Sequence, residues 1–280
     1  MNGPRGGAKP GTGLIVFGDD GSSNADVAWL WVCNHRWSGW RAEVVTATPP
    51  PFPPPSWDYR GDLVEWDSPH PRILVAQSEL VSVRHLTGAY DPRVLLGERS
   101  DADLLLVGSR GLGHLKALLL GSTTEWLLHH PPAPLAVVRR AAPVRSVVVC
   151  VDGSVHAQAA VEAFARLPWA SDTQVRVLTV HDGRADVDAA QAGALKALSA
   201  AGVAASVHEE KGKATHAILH ELSATQPELV VLGTRGLTGW RRLRLGSTAA
   251  AVVRATDCSS LVACADDSPA DGGDTTATTP

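Results

Sequence analysis

The stretch ADLLLVGSRGLGHLKALLLGST, residues 102–123, decides the fold of this chain. Residues 104–107 form an apolar run without alternation, which is typical of a strand covered by helices on both faces. The run ends at Gly108, and Ser122, directly after Gly121, is a suitable N-cap for a following helix. Because a helix N-terminus presents free N–H groups and a positive dipole end, this strand–loop–helix unit predicts a phosphate-binding site.

The same unit is repeated in the second half of the chain. Residues 228–248 read ELVVLGTRGLTGWRRLRLGST, and aligning Gly233 with Gly108 gives identity at nine of sixteen positions. One such turn is an ordinary structural joint between a strand and a helix. A structural joint alone does not, however, require two glycines and a Gly-Ser-Thr that are separated by the same number of residues in both halves. The repetition therefore favours a binding function and indicates two domains.

The two copies of G-x2-G-x9-G-[ST] resemble the motif of the nucleotide-binding universal stress proteins in their tandem two-domain form, over about residues 13–265. The resemblance implies an adenine-nucleotide-binding α/β domain present twice. Each would be a Rossmann-like, doubly wound five-stranded parallel sheet with strand order 3-2-1-4-5. We therefore expect domains at 13–140 and 141–265. The Gly/Pro-rich residues 1–12 and the acidic, Thr/Gly-rich residues 266–280 are predicted to be disordered.

The pattern of the remaining residues also predicts a doubly wound fold, because strand-like runs alternate with helical ones. Besides the two motif strands, strands are predicted at 14–17, 43–47, 135–138, 146–151, 175–180 and 261–264. Helices are predicted after a cap at Ser22 or Ser23 and after Ser154, and at 73–84, 92–99, 123–130, 187–201, 214–223 and 248–256. The last strands of the two halves, 135–138 and 261–264, are expected to pair and so to hide two exposed sheet edges. A further homodimer is left open.

An acidic residue follows the first strand of each half, Asp20 in one and Asp152 in the other. Such a residue has two interpretations. It caps the following turn or helix, or it faces a ligand, since ligands bind at the carboxyl ends of strands in an open parallel sheet. The family places this aspartate beside the nucleotide, and one residue is able to fill both roles.

The resemblance implies one nucleotide site in each half, holding ATP or another adenine nucleotide, with or without Mg²⁺ or Mn²⁺. Backbone after the second strand would contact the adenine, the first motif glycine would lie near the ribose, and the Gly-Ser-Thr would hold phosphates. The first site would comprise Asp20, Ala47, Val107, Gly108, Arg110, Gly111, Gly121, Ser122 and Thr123. The second would comprise Asp152, Val180, Leu232, Gly233, Arg235, Gly236, Gly246, Ser247 and Thr248.

Bulk composition narrows the range of functions. A net charge of −4 and a pI near 6.2 argue against a general nucleic-acid binder. No apolar run reaches the length of a membrane span, and the N-terminal residues lack a signal-peptide core, so a cytoplasmic location without membrane association is expected. The four cysteines have no zinc-binding spacing, and the adjacent His129 and His130 would point in different directions on a helix. The sequence therefore predicts no metal site made by the protein alone.

No residue of the chain is placed as an evident catalyst. It has no P-loop lysine and no Ser-His-Asp order. Two classes of function stay open: a nucleotide-dependent regulator of stress responses, and a slow metal-dependent ATPase or adenylating enzyme on the same fold. A Rossmann dehydrogenase fits less well, because its glycine motif belongs after the first strand rather than the fourth.

The two sites are also expected to be unequal, with stronger phosphate binding in the second half. The second loop carries Arg241, Arg242 and Arg244, where the first has only His114 and Lys116. In addition, the segment Ser122-Thr123-Thr124-Glu125 matches a capping box, which would place a negative charge where phosphate should sit. Charges of this kind predict that the second site binds phosphate several-fold more strongly than the first.

Overall fold

The computed structural model describes residues 12–47, 64–65, 72, 76–88, 91–110, 120–181, 186–236 and 245–265. The predicted disordered tail, and all but one residue of the predicted disordered N-terminus, lie outside the described residues. So do Gly111 and the charged loop residues of both motifs, His114, Lys116, Arg241, Arg242 and Arg244.

The first half of the chain alternates strands and helices. Its elements are β1 (Gly13–Gly18), α1 (Ser23–Cys33), β2 (Trp40–Ala47), β3 (Val64–Glu65), β4 (Ser82–Gly88), α2 (Pro92–Gly97), β5 (Leu104–Gly108), α3 (Ser122–His129) and β6 (Leu135–Val138).

The second half has the helix α5 (Val187–Ala200) between its second and third strands, where the described part of the first half has β3, and otherwise follows the same order. Its elements are β7 (Ser146–Val151), α4 (Val155–Ala165), β8 (Gln174–His181), α5 (Val187–Ala200), β9 (Ala205–Lys211), α6 (Ala214–Thr225), β10 (Leu229–Gly233), α7 (Ser247–Ala255) and β11 (Ser259–Ala263). A short 3₁₀ turn, Ala170–Asp172, precedes β8.

The described strands form one sheet with the order β3-β4-β2-β1-β5-β6-β11-β10-β7-β8-β9. Within each half the five main strands are parallel and follow the predicted order 3-2-1-4-5, so the predicted fold class is confirmed. β3 was not predicted, and it pairs antiparallel with β4 at the edge of the first half.

The two halves meet at their last strands. β6 and β11 pair antiparallel, with Ala136 opposite Leu261, as the edge-hiding argument predicts. Arg139 reinforces this junction, because its guanidinium donates to the carbonyl oxygens of Thr256 at 2.8 Å and Val253 at 2.6 Å. These carbonyls lie at the negative end of α7, where a cation is favoured.

The predicted helix at 73–84 is wrong. Of the described residues in that range, Ala76–Ser78 form a 3₁₀ turn and the strand β4 begins at Ser82. Glu79 has a φ of +54°, a left-handed conformation that ends any helix at this point. Leu80 is buried but Val81 is 69% exposed, so these two apolar neighbours do not both face inward as the predicted helix requires.

The core lies in two layers, one on each face of the sheet. β1 shows how the strands divide between the layers, since Ile15 and Phe17 join one cluster while Leu14 and Val16 join the other. β5 is buried along its whole length, as its unbroken apolar run predicts. Among the described residues, no helix is both long and apolar enough to cross a membrane.

Candidate functional site

The strand order places the predicted site residues of each half at one edge of the sheet. β1 lies between β2 and β5, and Gly18 at its end is opposite Val107, directly before Gly108. β7 lies in the same way between β8 and β10. Asp20 and Asp152 therefore lie at the point where the strand order reverses. This is where open α/β sheets bind ligands.

Both aspartates stabilise the turn that follows the strand. Asp20 Oδ1 accepts the N–H of Ser22 at 3.0 Å, and Asp152 Oδ1 accepts the N–H of Ser154 at 3.0 Å. The capping interpretation of the aspartates is therefore correct for one oxygen of each carboxylate. The second oxygen of Asp152 faces the motif, since a Cβ built on Gly236 would lie 2.6 Å from Asp152 Oδ2.

Ser22 and Ser154 connect the turn after the first strand of each half to the glycine motif of that half, a contact that was not predicted from the sequence. Ser22 Oγ caps α1 by accepting the N–H of Ala25, and Ser154 Oγ caps α4 in the same way. Ser154 Oγ also lies 3.2 Å from the carbonyl oxygen of Arg235, and Ser22 Oγ lies 3.5 Å from that of Arg110. The signal was available, because both halves carry Asp-Gly-Ser at this place.

The first motif glycines are required by helix packing. A Cβ on Gly108 would lie 2.8 Å from the carbonyl oxygen of Asn24, and one on Gly233 would lie 2.6 Å from the backbone nitrogen of Ala157. The first turns of α1 and α4 thus press directly against these strand ends. The preceding Val107 and Leu232 are each 4% exposed and belong to the core.

The helices after the motifs begin one residue earlier than predicted. The N-caps are Gly121 and Gly246 rather than Ser122 and Ser247, and neither helix has a side-chain cap hydrogen bond. The glycine N–H groups instead donate back to Ser109 O at 3.0 Å and to Thr234 O at 2.6 Å, which fixes the entry of the chain into each helix.

Four predicted phosphate-binding hydroxyl side chains lie in the first turns of these helices. Ser122 and Ser247 are exposed, and Thr123 and Thr248 are half-buried. Because no side chain of the described residues caps the N–H groups of these turns, both helix starts retain the donors and the dipole that attract an anion.

The predicted capping box at Glu125 is also wrong. With Gly121 as N-cap, Glu125 lies one position too far along the helix to return to the cap. Its carboxylate instead pairs with Arg254 of α7 across the junction, with Arg254 Nε 3.3 Å from Oε2. The hydrogen bonds from Arg254 hold the pKa of Glu125 below its ordinary value. Its negative charge is therefore neutralised rather than directed at the first site.

The remaining predicted residues differ in their surroundings. Arg110 is exposed, whereas Arg235 is buried with Nη2 3.7 Å from Cys264 Sγ.

Ala47 and Val180 are half-buried near the ends of β2 and β8, the second strand of each half. They flank the switch point on the side where the resemblance implies the adenine.

Arg72 is a residue near the first site that the sequence pattern did not reveal. Its guanidinium lies 2.7 Å from both carboxylate oxygens of Asp19 and 2.6 Å from Asp26. Burial lowers the pKa of Arg72, but hydrogen bonds to Asp19 and Asp26 outweigh it and hold the pKa above its ordinary value. The second half has Val151 where the first has Asp19, so the two sites differ electrostatically.

A cavity of about 550 Å³ lies beside the second turn, between α4 and α5 and next to the junction of the halves. It is lined by residues that include Gly153, Ser154, Glu162, Gly193 and Cys264. The described motif residues 233–236 and 246–248 do not line it. The cavity therefore borders the second candidate site without containing its phosphate end.

Comparison with known proteins agrees with this fold. The model of the Universal stress protein family matches residues 13–139 and again residues 143–263. The chain belongs to the universal stress protein family. The double match also establishes the tandem arrangement of two domains that the repeated motif predicts.

Relatives of this universal stress protein share part of its sequence. A universal stress protein of Synechocystis sp. is 29% identical over 187 residues, which is 64% of this chain and 63% of the relative. One of Mycobacterium tuberculosis is 32% identical over 142 residues, 47% of this chain and 50% of the relative. The chain thus spans about half to two thirds of the length of these relatives.

A crystal structure of a universal stress protein from Archaeoglobus fulgidus has the same fold. It superposes with a TM-score of 0.62 at 19% identity, covering 91% of this chain and 97% of the other.

Proposed function

We propose that this universal stress protein binds ATP or a related adenine nucleotide, with or without Mg²⁺ or Mn²⁺, and acts as a cytoplasmic, nucleotide-dependent regulator in stress responses. One observation carries the proposal most directly. Both halves present an extended N-cap glycine and a helix start without a side-chain cap, directly beside the carboxyl end of the motif strand. A helix start of this kind favours phosphate.

The phosphate end of each proposed site is built from backbone. The N–H groups at the starts of α3 and α7 would bind phosphate oxygens, and the hydroxyls of Ser122, Thr123, Ser247 and Thr248 would add hydrogen bonds. The chain also packs tightly at the second of these starts, since a Cβ on Gly246 would lie 3.2 Å from Thr234 O.

The other end of each site suits a nucleoside. Ala47 and Val180 offer half-buried apolar contact beside backbone that can hydrogen-bond a base. Asp20 and Asp152 place carboxylates between this end and the phosphate helix, where a ribose hydroxyl would find an acceptor. The residues present therefore fit an adenine nucleotide.

A slow metal-dependent ATPase or adenylating enzyme is the second candidate, and Asp152 favours it. Oδ2 of this carboxylate faces Gly236, and a carboxylate beside bound phosphates is a suitable ligand for Mg²⁺ or Mn²⁺. Steady-state release of phosphate or pyrophosphate, absent in a variant that cannot bind nucleotide, would identify the enzyme.

The test of nucleotide binding is calorimetric titration of the full chain with ATP, ADP, AMP and NAD, with Mg²⁺ or Mn²⁺ present. Gly246→Val and Gly121→Val keep the observed negative φ of both caps but cover the helix start. Because hydrogen bonds to a charged group contribute about 1.5–3 kcal/mol, combining the two substitutions should weaken ATP binding by at least about tenfold.

Ser247→Ala is the matched control for backbone recognition, because it removes a hydroxyl and leaves the N–H groups in place. It should cost less affinity than Gly246→Val. Absence of binding of every nucleotide below millimolar concentration would show the proposal to be wrong.

The second site should bind ATP several-fold more strongly than the first. Arg72, Asp19 and Asp26 together leave a net negative charge near the first site, and Val151 replaces Asp19 in the second half. Separate titrations of Gly121→Val and Gly246→Val at low and moderate salt measure the difference. Equal losses, or a larger loss from Gly121→Val, would refute the inequality.

A further inference from the structure

Three side chains with metal-ligating atoms come together at the edge strand of the second half, where Glu210 lies opposite Val180 in the sheet. His208 and Glu210 lie two positions apart on β9, and Glu221 lies on α6. One nitrogen of His208 and one carboxylate oxygen from each glutamate are all within 4.8 Å of one another. We propose that these residues form a zinc-binding site.

The distances between the ligand atoms fit a tetrahedral ion. His208 Nε2 lies 3.4 Å from Glu210 Oε1 and 3.5 Å from Glu221 Oε2. Both contacts are longer than a good hydrogen bond. Ligands at about 2.0–2.1 Å from a tetrahedral Zn²⁺ are separated by about 3.3–3.4 Å, so the two distances from His208 match edges of a zinc coordination shell.

Arg176 holds Glu221 in the orientation that the site needs. Arg176 Nη1 donates to Glu221 Oε1 at 2.9 Å, while Oε2 faces His208. Glu221 is only 4% exposed, so its carboxylate is fixed before any ion arrives. Hydrogen bonds of this kind orient metal ligands and strengthen binding.

The composition of the site selects the class of metal. An imidazole with two carboxylates suits zinc better than magnesium, which prefers oxygen ligands alone. Water would take the fourth position, because the exposed His220 approaches only Glu210, with Nδ1 3.9 Å from Oε1, and is not part of the three-residue group. Sequence spacing did not suggest the site because its ligands come from a strand and a helix that meet only in the fold.

The experiment titrates Zn²⁺ into the full chain after treatment with a chelator, in the absence of nucleotide, by calorimetry and by thermal unfolding. We expect a saturable site whose occupancy raises the unfolding temperature. His208→Ala and Glu210→Gln should each weaken zinc binding by more than about tenfold, since losing an outer-shell partner alone costs that much. Circular dichroism would verify that both variants fold.

Two variants serve as controls. His181→Ala removes another histidine–glutamate pair of the same sheet, in which His181 Nε2 lies 2.9 Å from Glu209 Oε2. Cys264→Ser removes a thiol that lies 3.5 Å from His156 Nδ1. Neither should change zinc affinity. The proposal is overturned if zinc does not bind, if either site variant binds it as the wild type does, or if a control variant loses it.

Discussion

Gly233→Ala is expected to lower the free energy of unfolding by about 2–3 kcal/mol, the cost of overpacking a core without room to adjust. The added Cβ would lie 2.6 Å from the nitrogen of Ala157 and 2.7 Å from the carbonyl carbon of His156. Both atoms belong to the backbone of α4, so no side-chain rotation relieves the clash. The helix itself must move away from β10.

Gly193→Ala is the matched control for this substitution. Gly193 lies within α5, and its added Cβ would meet only the flexible end of Gln158, at 3.3 Å. Alanine in a helix interior is favoured over glycine by about 0.5–1 kcal/mol, so this variant should be as stable as the wild type or slightly more stable. Guanidinium unfolding followed by circular dichroism compares the two.

The outcome also separates two reasons for the first motif glycine. If Gly233 served only close approach of a ligand, Gly233→Ala would lose nucleotide affinity and keep its stability. Loss of stability in the absence of nucleotide instead identifies a packing requirement. Gly108→Ala, whose Cβ would lie 2.8 Å from Asn24 O, should behave in the same way.

The sequence predicted the fold well wherever a signal occurred twice. The apolar motif strands, the Asp-Gly-Ser turns and the Gly-Ser-Thr helix starts appear in both halves, and the observed strand order agrees with them. The prediction was wrong at residues 73–84, although the counterpart predicted in the second half at 187–201 is a helix, α5. The left-handed backbone at Glu79 has no signal in composition.

The candidate sites were predictable in position but not in detail. Glycine spacing predicts a bend and a close approach, yet it does not say whether a helix or a ligand makes that approach. Arg72 reaches Asp19 and Asp26 from more than forty positions away, so no local pattern could place it. The pairing of Glu125 with Arg254 likewise depends on how the two halves meet.

The junction of the two halves contains a buried histidine that acid should disrupt. His35 is 5% exposed and lies between the rings of Trp31 and Trp169, each with its centroid 4.4 Å away. Its Nδ1 donates to the carbonyl oxygen of Trp31, and its Nε2 accepts the N–H of Val144. Both ring nitrogens are thus committed to the neutral form, and protonation of Nε2 would break the contact with Val144.

Lowering the pH from 7 to 4 should therefore cost about 3 kcal/mol of stability through His35 alone. Burial lowers the pKa of His35 from 6.5 to about 4, whereas the bond to the Trp31 carbonyl opposes the change only in part. Well above pH 6.5 the imidazole is neutral in both folded and unfolded chains, and the contribution of His35 to the free energy of unfolding is independent of pH. As the pH falls from 6.5 towards 4, only the unfolded chain takes up the proton, and stability decreases accordingly.

His35→Gln isolates this contribution, because glutamine offers a donor and an acceptor but does not titrate. Carboxylates such as Glu125, whose pKa is also held down in the fold, lose stability in acid equally in the wild type and the variant. The quantity to compare is therefore the difference in unfolding free energy between pH 7 and pH 4, measured by denaturation followed through tryptophan fluorescence. Trp31 and Trp169 report directly on the junction. The variant should lose about 3 kcal/mol less than the wild type over this range, and equal losses would show that His35 accepts its proton inside the folded chain.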